Sequence, residues 1–276
     1  MKKTVLITGC STGFGKDAAL HFAQQGWNVI ATMRRVEDGK ELTVHENILV
    51  ARLDVQDKTS IDTAITSGIA RFGAIDVLVN NAGFGLFGVF ESTSEEKIQE
   101  QFAVNVFGVM DVTRAILPHM RERKAGVIIN VSSGAGVFTL PMLSLYCSSK
   151  FALEGFSEGL SYELLGLGIV VKVVEPGGVV STDFGKRSAS EAEKTSEIAD
   201  YAQFKASTQK VFASLRSARL ATVADVSKVV FKAATDGTDT LRYVATNDIL
   251  PLVNSRRTAG EDAYIAMMRK SFLQLQ

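Results

Sequence analysis

The sequence has few of the residues that build metal sites and disulfide frameworks. Among 276 residues there are only two cysteines, Cys10 and Cys147, and three histidines. The cysteines have neither CxxC spacing nor any other spacing typical of metal ligands. We therefore expect no metal ion. Two isolated thiols are also typical of a protein of the reducing cytoplasm, where disulfides are rare.

Excess charge of one sign and long apolar runs are also absent. Thirty basic and thirty acidic side chains give a formal net charge of +0. No basic surplus therefore points to nucleic acid or to an anionic membrane surface. The opening Met-Lys-Lys resembles a signal peptide, but the apolar run behind it stops after three residues. No stretch approaches the ~18 apolar residues of a membrane span, so we expect a cytoplasmic protein.

Apolar residues are plentiful, at 46% of the chain, and they are enough for a large core. Short apolar runs predict strands over 4–8, 29–32, 48–54, 75–79, 127–131, 169–174 and 241–245. Helical spacing predicts helices over 15–25, 57–72, 94–120, 144–164 and 223–234. Strands that are apolar throughout and alternate with helices imply a parallel sheet covered on both faces. We predict one α/β domain with a doubly wound parallel sheet.

In such a sheet, ligands bind beyond the carboxyl ends of the strands. The first strand is followed by Gly9-Cys-Ser-Thr-Gly13-Phe-Gly15. Glycines allow a tight turn and a close backbone approach to a pyrophosphate, which the next helix N-terminus would bind. The spacing is GxxxGxG rather than GxGxxG, and a turn without a ligand is the alternative. The strand-loop-helix context favours a dinucleotide, with cofactor contacts predicted at Gly9, Ser11, Thr12, Gly13, Phe14 and Gly15.

The end of the second strand indicates which dinucleotide is bound. It reads Met33-Arg34-Arg35, with no carboxylate before Glu37. An acidic residue at this place binds the 2′-hydroxyl of NAD, whereas an arginine accepts the 2′-phosphate of NADP. Arg34 therefore favours NADP(H) over NAD(H). The alternative is that both arginines are ordinary surface residues.

Two further strand ends add candidate cofactor contacts. Asp54 and Val55 follow the third strand, where Asp54 would accept a hydrogen bond from the adenine amino group. A lone Asp at a strand end is otherwise more often a cap. The fourth strand is followed by Asn81, Ala82 and Gly83, which are small enough to let the backbone approach a cofactor, although such a segment alone is usually a plain turn.

The stretch from 133 to 150 carries the groups suited to chemistry. Ser133 follows a predicted buried strand, and the next helix places Tyr146 and Lys150 one turn apart on one face. A phenol with a pKa near ~10 is a poor acid or base at neutral pH, and a neighbouring ammonium would lower that pKa. Tyr146 would then act as a general acid or base, and Ser133 would donate to a substrate oxygen. Taken alone, the Tyr-Lys pair is more often a solvated helix surface.

Taken together and in order, these motifs resemble the classical short-chain dehydrogenase/reductase family over roughly residues 1–250. The resemblance implies a single Rossmann-like domain in which Tyr146 transfers the proton and Ser133 holds the substrate oxygen. It also implies that Lys150 binds the nicotinamide ribose and lowers the tyrosine pKa, and that Asn105 holds a water in a proton relay. Ser132 competes for the serine role, but the family's spacing to the tyrosine points to Ser133.

The resemblance also implies roles for the segments that follow the sixth strand. The loop directly after this strand would close the nicotinamide site, with Ser181 binding the carboxamide and Thr182 as the alternative. The charged segment over about 178–215 would be a substrate lid or a surface excursion. Residues 251–276 form a C-terminal extension that would cap the pocket, pack at an interface or fray. The predicted cofactor contacts in this loop are Pro176, Gly177, Val179 and Ser181.

The residues within these motifs are similar to those of the hydroxysteroid and retinol dehydrogenase branch of the family. This implies an oxidoreductase that moves a hydride between NADP(H) and a carbonyl or secondary alcohol of an apolar, steroid-, retinoid- or ketone-like substrate. The resemblance also implies a homodimer or homotetramer paired through the helices of Asn105 and Tyr146. The alternative is a silent NADP(H)-binding regulator, and the intact Asn, Ser, Tyr and Lys set argues against it.

Overall fold

The computed structural model describes residues 2–179, 198–217 and 221–273. Its centre is a seven-stranded sheet in the order β3-β2-β1-β4-β5-β6-β7, and all neighbouring strands are parallel. Every predicted strand is present, with ends that differ by one or two residues. The strands are β1 Thr4–Ile7, β2 Asn28–Met33, β3 Ile48–Arg52, β4 Val77–Asn80, β5 Gly126–Val131, β6 Ile169–Glu175 and β7 Arg242–Val244.

Helices cover both faces of this sheet, which confirms the predicted doubly wound α/β fold. They are α1 Gly13–Gln24, α2 Lys58–Phe72, α3 Glu95–Phe102, α4 Val109–Arg123, α5 Ser144–Leu164, α6 Ala202–Ser217, α7 Val223–Thr235, α8 Leu250–Thr258 and α9 Glu261–Phe272. One core cluster joins the sheet to α1 and α7, and a second joins it to α2, α4 and α5. The strand order reverses between β1 and β4, where open sheets bind their ligands.

Burial on both faces explains why the strands are apolar throughout. Val5, Leu6 and Ile7 of β1 are completely inaccessible to solvent. Fully burying one such side chain stabilises the fold by about 1.5–3 kcal/mol. Asp57 caps the N-terminus of α2, because its side chain accepts a hydrogen bond from the Ser60 N–H.

The prediction of a single helix over 94–120 is wrong in one respect. A π-helical turn over Ala103–Gly108 separates α3 from α4 and contains Asn105. The turn packs closely against the segment after β3, since a Cβ atom at Gly108 would lie 2.6 Å from Val55 Cγ2. Tertiary packing of this kind does not show in helical periodicity. Such wide turns often mark functional positions.

The C-terminal extension packs on the loop between β5 and α5. Phe138 of that loop lies in one apolar cluster with Val253 of α8 and Met268 of α9. Tyr264 is buried, and its hydroxyl accepts a hydrogen bond from the Thr139 N–H at 3.1 Å. Helices α8 and α9 therefore pack onto the body of the domain, which was not among the three roles considered for this segment.

Candidate active site

The glycine-rich loop adopts backbone angles that require glycine. Gly9 has φ +74° and Gly13 has φ +58°, both in the left-handed region. A Cβ atom at Gly15 would lie 2.5 Å from Asn81 Nδ2. Helix α1 begins at Gly13, and the Thr12 side chain does not cap it. Its first N–H groups therefore remain suited to an anion, so the loop fits the diphosphate of a dinucleotide.

Asn81 holds this loop in place. Its Nδ2 donates to the carbonyls of Thr8 at 2.8 Å and Gly9 at 3.1 Å. In return, the Thr8 hydroxyl accepts from the N–H groups of Asn81 and Ala82, both at 3.0 Å. Asn81 was predicted to contact the cofactor, and the structure gives its side chain the additional task of fixing the Gly-rich loop. Gly83 lies beside the catalytic candidates, since its Cβ would be 3.8 Å from Lys150 Nζ.

The two arginines after β2 have different surroundings. Arg35 pairs with Asp38, with Nε donating at 3.1 Å. Arg34 is exposed, and its guanidinium makes no hydrogen bond or ion pair with the described residues. Arg34 is thus the guanidinium at the carboxyl edge of the sheet that remains available to a phosphate.

The residues after β3 are engaged within the protein. Asp54 Oδ1 accepts a hydrogen bond from the Gln56 N–H at 3.1 Å and so closes a turn. This is the capping role considered beside the adenine contact, and a carboxylate can accept further hydrogen bonds. Val55 is buried in the core cluster against α2 and α4.

The structure brings Ser133, Tyr146 and Lys150 together. The Ser133 side chain lies beside the Tyr146 phenol and, as a hydrogen-bond partner, lowers the phenol pKa. Ser133 Oγ donates to the Pro176 carbonyl at 3.5 Å. Ser133 Oγ also accepts from the Ala135 N–H at 3.1 Å. Ser132 is different, because its Oγ is buried, has no hydrogen-bond partner among the described residues and borders Gly136 and Glu154. The geometry therefore distinguishes the two serines, with Ser133 on the side of the phenol.

Tyr146 and Lys150 share a buried helix face, with 8% and 5% of their surfaces exposed. Lys150 Nζ donates to the Val131 carbonyl at 2.9 Å and lies 5.9 Å from the centre of the Tyr146 ring. Burial raises the pKa of Tyr146 to about 12, although the Ser133 hydrogen bond lowers it. The expected lowering of this pKa by Lys150 is therefore wrong for the chain alone. The reason is that desolvation of the phenol dominates and that the ammonium contacts a carbonyl instead.

Asn105 lies in the π-helical turn and is buried. Its Oδ1 accepts from the Phe84 N–H at 3.0 Å, and its Nδ2 donates to the Phe84 carbonyl at 2.8 Å. The second Nδ2 hydrogen goes to Ser149 Oγ at 3.1 Å, and Ser149 donates to the Tyr146 carbonyl at 2.8 Å. Both amide hydrogens are used within the protein. Asn105 therefore ties the loop after β4 to the helix of Tyr146.

Gln101 was not predicted from the sequence, yet it shares this task. It is fully buried, its Oε1 accepts from the Leu86 N–H at 2.9 Å, and its Nε2 donates to the Phe84 carbonyl at 2.5 Å. Gln101 and Asn105 are four residues apart, which is one helical turn. Two amides at that spacing on an otherwise apolar face were the signal available in the sequence.

The loop after β6 lies against the Ser133 loop. The Pro176 carbonyl accepts from the Gly134 N–H at 2.8 Å, and the Gly177 N–H donates to Thr246 Oγ1 at 2.9 Å. A Cβ atom at Gly177 would lie 2.5 Å from that hydroxyl oxygen, so this position needs glycine. Val179 is buried in the core. Of the remaining predictions, Ser181, Thr182 and the 180–197 part of the lid predicted over about 178–215 lie outside the described residues.

The apolar residues that follow β4 and precede Tyr146 fall into two groups. Phe84, Leu86, Phe138 and Met142 are buried. Leu140 instead lines an apolar cavity of about 640 Å³ between α5 and α9, together with Pro141, Cys147, Phe151, Met268 and Phe272. This cavity adjoins the loop that joins Ser133 to Tyr146.

Among the described residues, no helix combines the length and the apolar character needed to cross a bilayer. No group of three or more His, Cys, Asp or Glu side chains in the same ranges is arranged to hold a metal ion.

Comparison with known proteins agrees with this geometry. A family model described as short chain dehydrogenase matches residues 3–193. Human 17-beta-hydroxysteroid dehydrogenase type 1 is 33% identical to this chain, over 98% of the chain and 86% of that protein. A short-chain dehydrogenase structure from Streptomyces avermitilis has a TM-score of 0.83 at 33% identity, covering 98% of this chain and 96% of its own. The structure of ElxO with NADP bound has a TM-score of 0.73 at 29% identity, covering 89% and 98%. This chain therefore belongs to the classical short-chain dehydrogenase/reductase family and is an oxidoreductase.

Proposed function

We propose that the protein uses NADP(H) to interconvert a carbonyl group and a secondary alcohol on an apolar substrate. The observation that carries the proposal is the grouping of the Ser133 and Tyr146 side chains, with the Lys150 ammonium one turn away. Two neighbouring hydroxyls can both turn to one substrate oxygen. Together they polarise a carbonyl and deliver a proton to it.

The roles of these residues follow from their surroundings. The bound nicotinamide supplies or accepts the hydride. Ser133 donates a hydrogen bond to the substrate oxygen, and Tyr146 gives it a proton in the reducing direction. Burial raises the pKa of Tyr146 to about 12, so the phenol carries at neutral pH the proton that reduction of a carbonyl requires. Lys150 holds the ribose, and the Asn105 turn holds the water that returns a proton.

Preference for NADP(H) rests on Arg34, with Arg35 as a matched control. Arg34→Ala removes the available guanidinium, whereas Arg35→Ala removes one that already pairs with Asp38. A charge-assisted hydrogen bond contributes about 1.5–3 kcal/mol. We expect Arg34→Ala to raise the KM for NADPH by about 10- to 100-fold and to leave the KM for NADH nearly unchanged. An equal effect of both substitutions would contradict this assignment.

An apolar substrate is supported by two observations. The loop between Ser133 and Tyr146 is rich in apolar side chains, among them Phe138, Leu140 and Met142. The relative described above, 17-beta-hydroxysteroid dehydrogenase type 1, is by its name a steroid enzyme. We therefore place steroid-, retinoid- and ketone-like carbonyl compounds first in a substrate search.

The test is NADPH oxidation, with NADH in parallel, over steroid, retinoid, aliphatic and quinone carbonyls. Ser133→Ala and Ser132→Ala form a matched pair, because both remove one hydroxyl but only Ser133 contacts the phenol. We expect turnover with NADPH in the wild type, loss in Ser133→Ala and near-normal rates in Ser132→Ala. No turnover in either direction, together with tight NADPH binding, would favour the silent regulator.

The proposed setting is a cytoplasmic homodimer or homotetramer. Cys10 and Cys147 are both free and buried, which suits a reducing compartment. Phe107 in the π-helical turn and Phe151 and Tyr162 on α5 are exposed apolar side chains on the elements expected to pair. Light scattering of the purified protein distinguishes a dimer or tetramer from a monomer.

A further inference from the structure

Glu154 is a buried carboxylate with no role in the chemistry described so far. It lies on α5, one turn beyond Lys150, and only 6% of its surface is exposed. Residues four apart on a helix occupy the same face, with Cβ atoms about 5–6 Å apart. Tyr146, Lys150 and Glu154 therefore follow each other along one buried face.

Only half of this carboxylate is satisfied by hydrogen bonds. Oε2 accepts from Arg242 Nε of β7 at 3.0 Å, whereas Oε1 has no partner among the described residues. The carboxylate borders the end of β5, since a Cβ atom at Gly136 would lie 2.9 Å from Glu154 Cγ and 2.7 Å from Ser132 Oγ. A buried charge that is only partly compensated destabilises the folded state, so the Glu154 carboxylate lowers the stability of the fold at this position.

With every group ionised, the charges around this face are unbalanced without Lys150, while burial and the charge of Glu154 raise the pKa of Glu175. Arg242 contacts Glu154, Glu158 and, at 3.7 Å, Glu175 of β6. Arg257 of α8 contacts Glu175 at 2.6 Å. When all are ionised, two arginines face three glutamates, and one negative charge remains.

The other groups packed near Lys150 do not supply that balance. From α5 it meets the phenol of Tyr146, from β5 the Val131 carbonyl, and from the π-helical turn the uncharged Asn105. On α3, Lys97 and Glu100 pair with each other at 2.8 Å. Glu154 is therefore the carboxylate on the same buried face as the ammonium.

We propose that Glu154 is a positioning residue for Lys150. The Glu154 carboxylate is anchored by Arg242 and keeps the neighbouring Lys150 ammonium charged beneath Tyr146. No ion pair joins the two side chains in the described part of the chain, so Glu154 acts through its field rather than by contact. Burial lowers the pKa of Lys150 to about 8, and the charge of Glu154 raises it. Without Glu154, Lys150 loses its proton at a lower pH. The consequence for catalysis rests on the proposed function, whereas the effect on the Lys150 proton does not.

The direct test is an NMR titration of the protein with ¹³Cε-labelled lysine, in the absence of cofactor and substrate. The Lys150 signal is assigned from its absence in Lys150→Met. We expect Glu154→Gln to lower the Lys150 midpoint by about one pH unit, which is about tenfold in proton affinity. Glu154→Asp keeps the charge and should restore much of the shift. An unchanged midpoint in Glu154→Gln overturns the proposal.

Glu158→Gln is the matched control. Glu158 is on the same helix and pairs with the same Arg242, but its side chain is 42% exposed and two turns from Lys150. We expect this variant to titrate like the wild type, and a shift equal to that of Glu154→Gln would overturn the assignment to Glu154. Glu154→Met removes the same charge and should give the same midpoint as Glu154→Gln, so the test survives if the amide is not tolerated.

The catalytic consequence is read from the pH profile of kcat in NADPH-dependent turnover. The alkaline limb should move to lower pH in Glu154→Gln by the amount seen in the titration, and it should stay in place in Glu158→Gln. A uniform drop at every pH with an unshifted midpoint would mean a merely structural role. If no variant turns over any substrate while the titration shift is present, the proposed function fails and the inference about Glu154 stands.

Discussion

Lys150 and Lys172 are both buried lysines, and their ammonium groups have different partners. Lys172 of β6 is 1% exposed, and its Nζ lies 2.5 Å from Asp236 Oδ1 and 3.1 Å from the Tyr243 hydroxyl. Lys150 donates to the Val131 carbonyl, and no carboxylate in the described ranges lies within ion-pair distance of it. A buried ion with a counter-ion is stabilised in place, whereas one without is costly.

The surroundings of Asp236 show what a structural pair looks like. Its carboxylate also accepts from the Tyr243 hydroxyl at 2.6 Å and from the Thr238 N–H at 3.0 Å. Burial raises the pKa of Asp236, but the hydrogen bond from Lys172 and the others outweigh it and hold this pKa well below its usual range. A buried lysine thus stabilises the fold where a counter-ion and hydrogen-bond acceptors surround its ammonium. Where these partners are incomplete, as at Lys150, the charge remains available for chemistry.

Removing Lys150 should produce the largest effect and separate activity from stability. We expect Lys150→Met to lower kcat by about 10²–10⁴-fold, the range typical of lost acid-base assistance. The same change should raise the free energy of unfolding by about 1–2 kcal/mol. Burial lowers the pKa of Lys150 from 10.5 to about 8, which corresponds to a destabilisation of the folded state by about 3 kcal/mol. The variant also loses the hydrogen bond to the Val131 carbonyl, which reduces the gain in stability by about 1 kcal/mol. Steady-state kinetics and urea unfolding at pH 7 measure both, and a less stable variant would contradict this reading of the charge.

Removing Lys172 should do the reverse. Lys172→Met leaves Asp236 without its counter-ion, and breaking a buried pair in this way costs about 3–5 kcal/mol. We expect a corresponding loss of stability in urea, with kcat within about twofold of the wild type, because Lys172 lies outside the catalytic group. Lys172→Met combined with Asp236→Asn should recover part of the stability. A large loss of kcat in folded Lys172→Met would remove the distinction between the two lysines.

The pH dependence of stability should reveal the desolvation of Lys150 at alkaline pH. The folded pKa of Lys150 is about 8, below its ordinary value of 10.5. Between these values the unfolded chain binds more protons, so the free energy of unfolding contributed by this group rises with pH. We expect unfolding curves from pH 7.5 to 10.5 to show this rise in the wild type relative to Lys150→Met. Parallel curves for the two proteins would mean that Lys150 is not desolvated.

Much of the fold and part of the site were predictable from local sequence. Apolar strands such as 4–8 report burial on both faces, because a residue must be apolar wherever both sides of a sheet are covered. The GxxxGxG loop was predictable because positive φ angles and a close approach at Gly15 require glycine. Tyr146 and Lys150 were placed on one face by helical geometry alone.

What the sequence did not reveal depends on residues distant in the chain. Lys172 stands in an apolar strand, and its partner Asp236 is 64 residues away. The amide of Asn81 turns back to Thr8 and Gly9 across 72 or 73 residues. The pKa of Tyr146 is raised because its neighbours exclude water, which periodicity does not show. Each depends on tertiary packing, and local patterns carry no information about it.

The most direct test of the account compares turnover and NADPH binding in Tyr146→Phe. The substitution removes only the hydroxyl that Ser133 contacts and leaves the ring and Lys150 in place. We expect kcat with the best carbonyl substrate to fall by about 10²–10⁴-fold, while the Kd for NADPH stays within about twofold. Retained turnover, or loss of turnover and NADPH binding together, would contradict the assignment of Tyr146 as the proton donor.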